Sequence, residues 1–283
     1  MACELVALTK TPLSRQSLSD LTQRVCDHLG RPISRATVGR ILQAAAIKPW
    51  QFRYWIFPRD PRFVEKASRV LDLYGGYRDR EPLTQEDFIL SADEKTSIQA
   101  RLRCHATQPP GPGRPQRVEH EYARGGALQY LAAWDVRRGY VLGRCEPKTG
   151  IAPFMRLVDQ AMGREPYCSA RRVFWVVDNG SSHRGETSIA RVQARHPKAI
   201  MVHTPIHASW LNRVEIYFSK VQRKVLTPND FQSLKEVEYR LHLYEELCNR
   251  KPQPFAWEFT TDKLIDFVRK TVERLKSEPD TLL

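Results

Sequence analysis

The sequence predicts an α/β chain: a mixed five-stranded sheet with flanking helices, preceded by a small all-α domain. Three observations support this. Strand-like runs begin only after residue 86 and then alternate with helical ones. Residues 17–45 carry two short helical periodicities joined by a tight turn. A length of 283 residues with a 41% apolar share suits one sizeable domain and a small one.

In order along the chain, SLSDLTQRVCDHLG (17–30) reads as a helix capped by Ser17 with Asp20 and stopped by Gly30. Leu18, Leu21, Val25 and Leu29 fall near one face. Ser34 is a natural N-cap for SRATVGRILQAAAI, and Ile33 with Val38 has the spacing of a hydrophobic staple. Val38, Ile41, Leu42 and Ala45 are expected inside; Arg35, Thr37, Arg40 and Gln43 are expected outside. Two short helices, the second with a basic outer face, form the pattern of a helix-turn-helix, so residues 1–47 read as a DNA-binding domain touching DNA through Arg35, Thr37 and Arg40. A plain helical pair has the same periodicity; the charge balance favours DNA. The chain carries +13 with a pI near 9.6, and residues 1–80 hold fourteen Lys and Arg against seven Asp and Glu.

KPWQFRYWIFPRDP (48–61) interleaves aromatics with bases, which suits phosphate contact through Lys48 and Arg53. Docking of Trp50, Phe52, Trp55 and Phe57 on a neighbouring domain fits equally well. Asp60 is expected to cap a helix with Pro61 at its first position and Phe63, Ala67, Val70, Leu71 and Tyr74 as its stripe, completing a linker over 48–85. DFILSADEK is then a short apolar strand ending at Asp93. ALQYLAAWDV (127–136) and GYVLGRCE (139–146) form a hairpin, with a long insert, 97–126, before it. Residues 151–163 are helical. VFWVVDNGSSH (173–183) is a buried strand running into Asp178, followed by a helix at 186–195, AIMVHTP as a fifth strand, and helices to the end. Three strands, helix, strand, helix, strand, helix is the order of a ribonuclease-H-like domain, placed at 86–260 with a helical tail at 261–283.

That fold makes the first and fourth strands neighbours, so Asp93 and Asp178 emerge on one edge. A third acid is expected from the helix after the fifth strand. There Val214, Phe218, Val221 and Val225 mark the buried stripe, and Glu215 lies about 100° from Val214, on its shoulder. Gathered carboxylates repel unless a cation neutralises them. Hard oxygen donors select Mg²⁺ or Mn²⁺, and a pair of such ions activates the attacking oxygen and stabilises the leaving one in phosphodiester cleavage.

SADEK around Asp93, VVDNGSSH around Asp178 and HTPIHASWLNRVEIYFSKVQRK around Glu215 resemble the DDE transposases of the mariner superfamily, bacterial insertion-sequence branch. The resemblance covers residues 17–260, and 36 residues separate the second and third acids, close to that group's spacing. It implies that Asp93, Asp178 and Glu215 bind two Mg²⁺ or Mn²⁺ ions and that Asn212 supports the site. It also implies a homodimer that binds terminal inverted repeats, cuts both strands and joins them to target DNA, in the cytoplasm of a bacterium at the nucleoid. The 97–126 insert corresponds to a loop that reaches toward the partner subunit in mariner-like relatives; it holds five arginines against two acids. Family members usually carry two helix-turn-helix units, whereas only about 50 residues precede the linker, so the front end is expected to lack the first unit.

Two other readings compete: a catalytically idle, transposase-derived DNA-binding protein, disfavoured by the three acids, and another Mg²⁺ phosphohydrolase, disfavoured by the basic front end. No apolar run approaches the ~20 residues of a membrane helix. The opening MACELVALTKTPLS has no long apolar core, so neither span nor signal peptide is expected. The six cysteines form no CxxC or Cys/His cluster, so no zinc site or disulfide framework is expected. Glu94 reads as a surface charge, Asp135 as structural or solvent-facing, and His183 and His207 as structural or surface histidines.

Overall fold

The computed structural model describes residues 1–3, 13–52 and 58–277. Two compact units divide the chain, Met1–Phe57 and Pro58–Leu283.

The first unit holds α1 (Leu18–Leu29) and α2 (Arg35–Ala44). Ser17 and Asp20 satisfy each other's backbone N–H in a full capping box, and Gly30 leaves α1 through the left-handed region at φ +63°. Ser34 Oγ accepts from Thr37 N at 3.1 Å to start α2. Leu21, Val38 and Leu42 make the small core, with Leu18, Val25, Ile33, Ile47 and Trp50 packed on it. Leu29, Ile41 and Ala45, expected inside, are exposed. Two helices bury only one seam, and Ile41 sits a full 100° step from Leu42.

The second unit opens with α3 (Phe63–Tyr74). This helix starts two residues later than expected, after a turn in which the Asp60 carboxylate accepts from Arg62 N at 2.9 Å; the same carboxylate accepts from Lys66 Nζ at 2.8 Å and Ile206 N at 3.0 Å. Phe63, Ala67, Val70, Leu71 and Leu73 join the main core, so α3 belongs to the sheet domain's packing and is not part of a free-standing linker. A small hairpin, β1 (Tyr77–Arg78) with β2 (Glu81–Pro82), leads to β3 (Asp87–Leu102), β4 (Ala123–Asp135), β5 (Val141–Glu146), α4 (Ile151–Met162), β6 (Arg172–Val177), α5 (Gly185–Arg195) and β7 (Ala199–His203). A 3₁₀ turn at Ser209–Leu211 precedes α6 (Val214–Lys224), α7 (Leu234–Arg250) and α8 (Thr261–Ser277).

The sheet order is β5-β4-β3-β6-β7, with β4 antiparallel to β3 and β5, and β6 parallel to β3 and β7. This is the mixed five-stranded sheet with flanking helices that the sequence predicted. Period-two alternation sorts its strands between two cores. Ile89, Tyr130, Trp134, Phe174 and Val176 face α3, α6, α7 and α8; Leu90, Leu131, Trp175 and Val177 face α4 and α5. Val173–Val177 is buried throughout, as a central parallel strand covered on both faces must be.

At the β4–β5 turn Gly139 has φ +71°, and a Cβ there would lie 2.2 Å from the Gln253 carbonyl carbon, so only glycine fits. Asp135 is fully buried and structural: it accepts from Arg137 N, Arg138 N and Tyr167 Oη.

Two expectations need correction. The first strand does not stop at Asp93; β3 continues to Leu102 and pairs with β4 as far as Leu102↔Ala123. The 97–126 insert is therefore largely an extension of this hairpin, a β-arm with a register shift between Lys95 and Ile98. Its tip folds back through bridges Gln108↔Arg117 and Gly111↔Arg114. Arg101 and Arg103 stack over Tyr122 at 4.7 and 5.8 Å, fixing the arm where loop meets ribbon.

Candidate active site

The β3–β6 register explains how two acids 85 positions apart meet. Asp87 pairs with Arg172 and Ser91 with Val176, a constant offset of 85. Two residues beyond the last rung, the same offset sets Asp93 level with Asp178, and period two turns both toward the face that α6 covers. Asp93 sits within a continuing strand, opposite the small Ala132 of β4; what ends at this level is β6, and its departure opens the edge.

The third acid is brought in by a lock between β3 and the start of α6. Ser91 Oγ accepts from Val214 N at 2.9 Å and donates to Asn212 Oδ1. Asn212 Nδ2 donates to Ala92 O at 2.8 Å and to Asp93 Oδ2 at 3.3 Å. Arg213, buried among aromatics, lies over the rings of Tyr74 at 4.4 Å and Trp257 at 4.8 Å, and Tyr74 Oη donates to Leu211 O. The approach to α6 is thus a 3₁₀ turn at Ser209–Leu211, the extended Asn212 and the cap Arg213. Glu215 falls in the first turn of α6, exposed at the surface.

A second set of bonds holds Asp178. His183 Nε2 lies 2.5 Å from Asp178 Oδ1, and Gly180 N donates to the same oxygen at 2.7 Å. The chain continues outward: His183 Nδ1 is 2.9 Å from Ser182 Oγ, which donates to Glu94 Oε1 at 2.7 Å, and His203 Nε2 is 2.6 Å from the His183 carbonyl. A Cβ at Gly180 would approach Asp178 Oδ1 and the His183 ring at 3.0 Å, so the turn is built tightly around this contact. Glu94 is thus no plain surface charge, and the buried His183 is tied to the site. His207 is exposed, at φ +61°, and lines a cleft with Asp178, Asn179 and Arg184. Period-two counting gives no sign of His183; a turn that doubles back over five residues has to be built before its ring reaches Asp178.

The electrostatics follow from this packing. Burial, then the charges of Asp178 and Glu215, push the Asp93 carboxyl up to about 7. The His183 bond holds Asp178 below the usual carboxylate range, and partial desolvation lifts Glu215 although part of its side chain is exposed. Among the described residues no three His, Cys, Asp or Glu side chains stand close enough together to hold a metal ion as they are. The donor set nonetheless fits a hard divalent cation, because Asp93 feels three neighbouring carboxylates, Asp178, Glu215 and Glu94, all hard oxygen donors. A family model for DDE superfamily endonucleases matches residues 89–238, just over half of the chain and spanning all three acids.

The chain belongs to the DDE superfamily endonucleases.

Solved structures of a mariner transposase share the fold of this endonuclease. The Mos1 paired end complex with Mn is 15% identical, with a TM-score of 0.53 over 94% of this chain and 78% of that one. The Mos1 paired end complex with Mg is 14% identical, with a TM-score of 0.54 over 93% and 80%. A pre-cleavage Mos1 transpososome gives 14% and 0.53 over 94% and 79%. No curated protein sequence matches. The ribonuclease-H-like fold is therefore shown, with a helical region before it.

Arg35, Thr37, Arg40 and Lys48, expected at DNA, belong to the first unit. Arg35 and Arg40 are exposed on α2, Thr37 is half-buried with Oγ1 2.8 Å from Ser34 Oγ, and Lys48 is exposed. Arg53, with Trp55 and Phe57, lies outside the described residues; Trp50 packs on its own helical unit. No helix among the described residues is long and apolar enough to cross a membrane.

Proposed function

We propose that this endonuclease is the transposase of a bacterial insertion sequence, binding the element's terminal inverted repeats, cutting them and joining them to target DNA. The observation that supports this reading is the shared level of Asp93 and Asp178, with Glu215 near enough for its charge to raise the Asp93 carboxyl. Asp93, Asp178 and Glu215 would hold two Mg²⁺ or Mn²⁺ ions, which when bound activate the attacking oxygen and stabilise the leaving one. The Mos1 paired end complexes with Mn and with Mg support that choice. The chain's own contribution is rigidity: two neighbouring strands fix two carboxylates, Asn212 orients Asp93 and His183 orients Asp178.

Arg35, Thr37, Arg40, Lys48 and Arg53 would grip the repeats, and a groove beside the site, lined by Lys95, Gln99, Arg101, Arg103, Gln222 and Asn229, would take phosphates of the strand leaving it. The β-arm would clamp a second subunit, giving a homodimer on two ends, in keeping with the paired ends named for Mos1. Such a protein works at the nucleoid, in the cytoplasm. The test is purified protein with its element's own ends: nicking at the repeat boundary that needs Mg²⁺ or Mn²⁺ is expected. Tight end binding without any cleavage, in either metal, would favour an idle DNA-binding remnant instead.

A further inference from the structure

We propose that the strap between α7 and α8, residues 251–260, fixes the rotation of α6, and that Arg213 is thereby the positioning residue for Glu215. This rests on the reading of Glu215 as a metal ligand. The strap forms neither helix nor strand, and Pro252 and Pro254 keep its start extended. Phe255, Trp257 and Phe259 are half-buried and alternate with exposed residues, so period two turns all three rings inward. Phe255 stacks on Trp134 of β4 with ring centres 4.1 Å apart, and Lys220 Nζ of α6 lies 4.2 Å from the centre of the same Phe255 ring. Trp257 receives the Arg213 guanidinium at 4.8 Å and meets Tyr74 of α3 edge-on at 5.8 Å. Phe259 meets Trp210 edge-on at 5.1 Å, and Trp257 Nε1 donates to Phe259 O at 2.6 Å.

The strap thus touches α6 at two places, and both lie on one shoulder of the helix. Arg213 already has helical geometry, at φ −64° and ψ −22°. At about 100° per residue, Arg213 and Lys220 fall within ~20° of one line along the helix, about 10 Å apart. Glu215 leaves ~160° round from Arg213, and the core-facing Val214, Phe218 and Val221 fill the arc between them. The Ser91 and Asn212 bonds pin the start of α6, but the apolar contacts of its core face are non-directional and leave it free to roll. Two anchors on the far shoulder stop that roll. At a side-chain radius of about 6 Å, a roll of about 10° carries the Glu215 carboxylate by about 1 Å. A displacement of that size costs a reaction on the order of 100-fold in rate.

Arg213 is a costly way to fill its space. It is 6% exposed, its Nε has no hydrogen-bond acceptor among the described residues, and no carboxylate acts on its charge. A buried cation without an acid is less stable than an apolar side chain of similar size. What the guanidinium adds is direction, because a flat cation held over the rings of Tyr74 and Trp257 has few ways to sit.

Three measurements on the full chain test this: amide hydrogen exchange without metal, Mn²⁺ binding by paramagnetic resonance, and the kcat and KM of end-DNA cleavage. Arg213→Met should melt close to wild type. Its Val214, Glu215 and Ile216 amides should nonetheless exchange about tenfold faster or more, with those of β3 and β6 unchanged. Its Mn²⁺ affinity should fall about tenfold or more and kcat with it, while KM for end DNA stays the same. Trp257→Leu should act as Arg213→Met does, and Trp257→Phe, which keeps a ring for the guanidinium, should stay near wild type. That pair decides the matter even where Arg213→Met fails to fold. Rings and cation that served stability alone would lower melting, yet leave α6 exchange in step with the sheet and Mn²⁺ affinity of the folded protein unchanged. Either of those last two results would overturn the proposal. A wild type that neither binds Mn²⁺ nor cuts would end the metal-centre reading, and exchange in α6 would then decide the strap by itself.

Discussion

Asn212 joins more of the site than any of the three acids does. Its amide reaches Ser91, the Ala92 carbonyl and Asp93 at once, from a fully buried position. Asn212→Ala should lose about 1–3 kcal/mol of stability by leaving Ser91 and the Ala92 carbonyl short of partners. Asn212→Asp keeps the shape but sets a fourth carboxylate against Asp93, and should abolish cleavage even where the protein remains folded. Melting curves and cleavage rates of the two variants separate these effects. Equal cleavage by Asn212→Asp and wild type would show that the lock does not orient Asp93. Asp178 stood out in the sequence because it is a charge at the tip of an apolar run. Ser91 and His183 did not. A serine inside a strand carries no periodic signal, and the His183 contact depends on a turn whose path only the fold defines.

At the scale of elements, the end of the β3–β6 ladder remote from the acids is pinned by Asp87. Its buried carboxylate takes paired bonds from Arg171 at 3.1 and 2.6 Å and from Arg172 at 2.9 and 3.0 Å, together with bonds from Thr84. Burial raises its pKa, but the Arg172 and Arg171 bonds outweigh burial and hold it far below the usual range. A carboxyl depressed in the folded state stabilises above its unfolded pKa, near 3.9, and that contribution is lost as pH falls below it. Asp87→Asn should therefore cost on the order of 2–4 kcal/mol at neutral pH. The gap to wild type should narrow in chemical denaturation below about pH 4. A gap independent of pH would remove Asp87 from the acid response.

The β-arm makes a separate prediction. Deleting Pro109–Pro115 takes the fold-back tip and leaves the β3–β4 ribbon, so the monomer should stay folded while assembly of two subunits on two DNA ends and cleavage fall. Native mass of the protein with end DNA reads this directly, and undiminished paired complexes would leave the clamp unsupported. The arm resembles a loop in sequence because its prolines and glycines lie at the tip; Ile98, Ala100 and Leu102 do alternate on the core side, but the facing stretch Ala123-Arg124-Gly125-Gly126 has no matching apolar run.

For the whole molecule, the pairing of the first strand with the fourth and the hairpin of the second with the third were read correctly from the alternation of strands and helices, since parallel neighbours need a crossover helix and hairpin strands do not. The expected linker was harder to assign. Residues 48–85 divide between a tryptophan on the helical unit and α3, whose stripe completes the sheet domain's core. A helix stripe read from sequence says that a face is buried and not against what. The central claim is that carboxylates from β3, β6 and α6 form one metal-binding centre for DNA cleavage. It is tested most directly by the cleavage rates of Asp93→Asn, Asp178→Asn and Glu215→Gln on end DNA with Mg²⁺, alongside their DNA affinity. The account predicts loss of cleavage in all three with affinity for DNA retained, and cleavage by Asp178→Asn near the wild-type rate would contradict it.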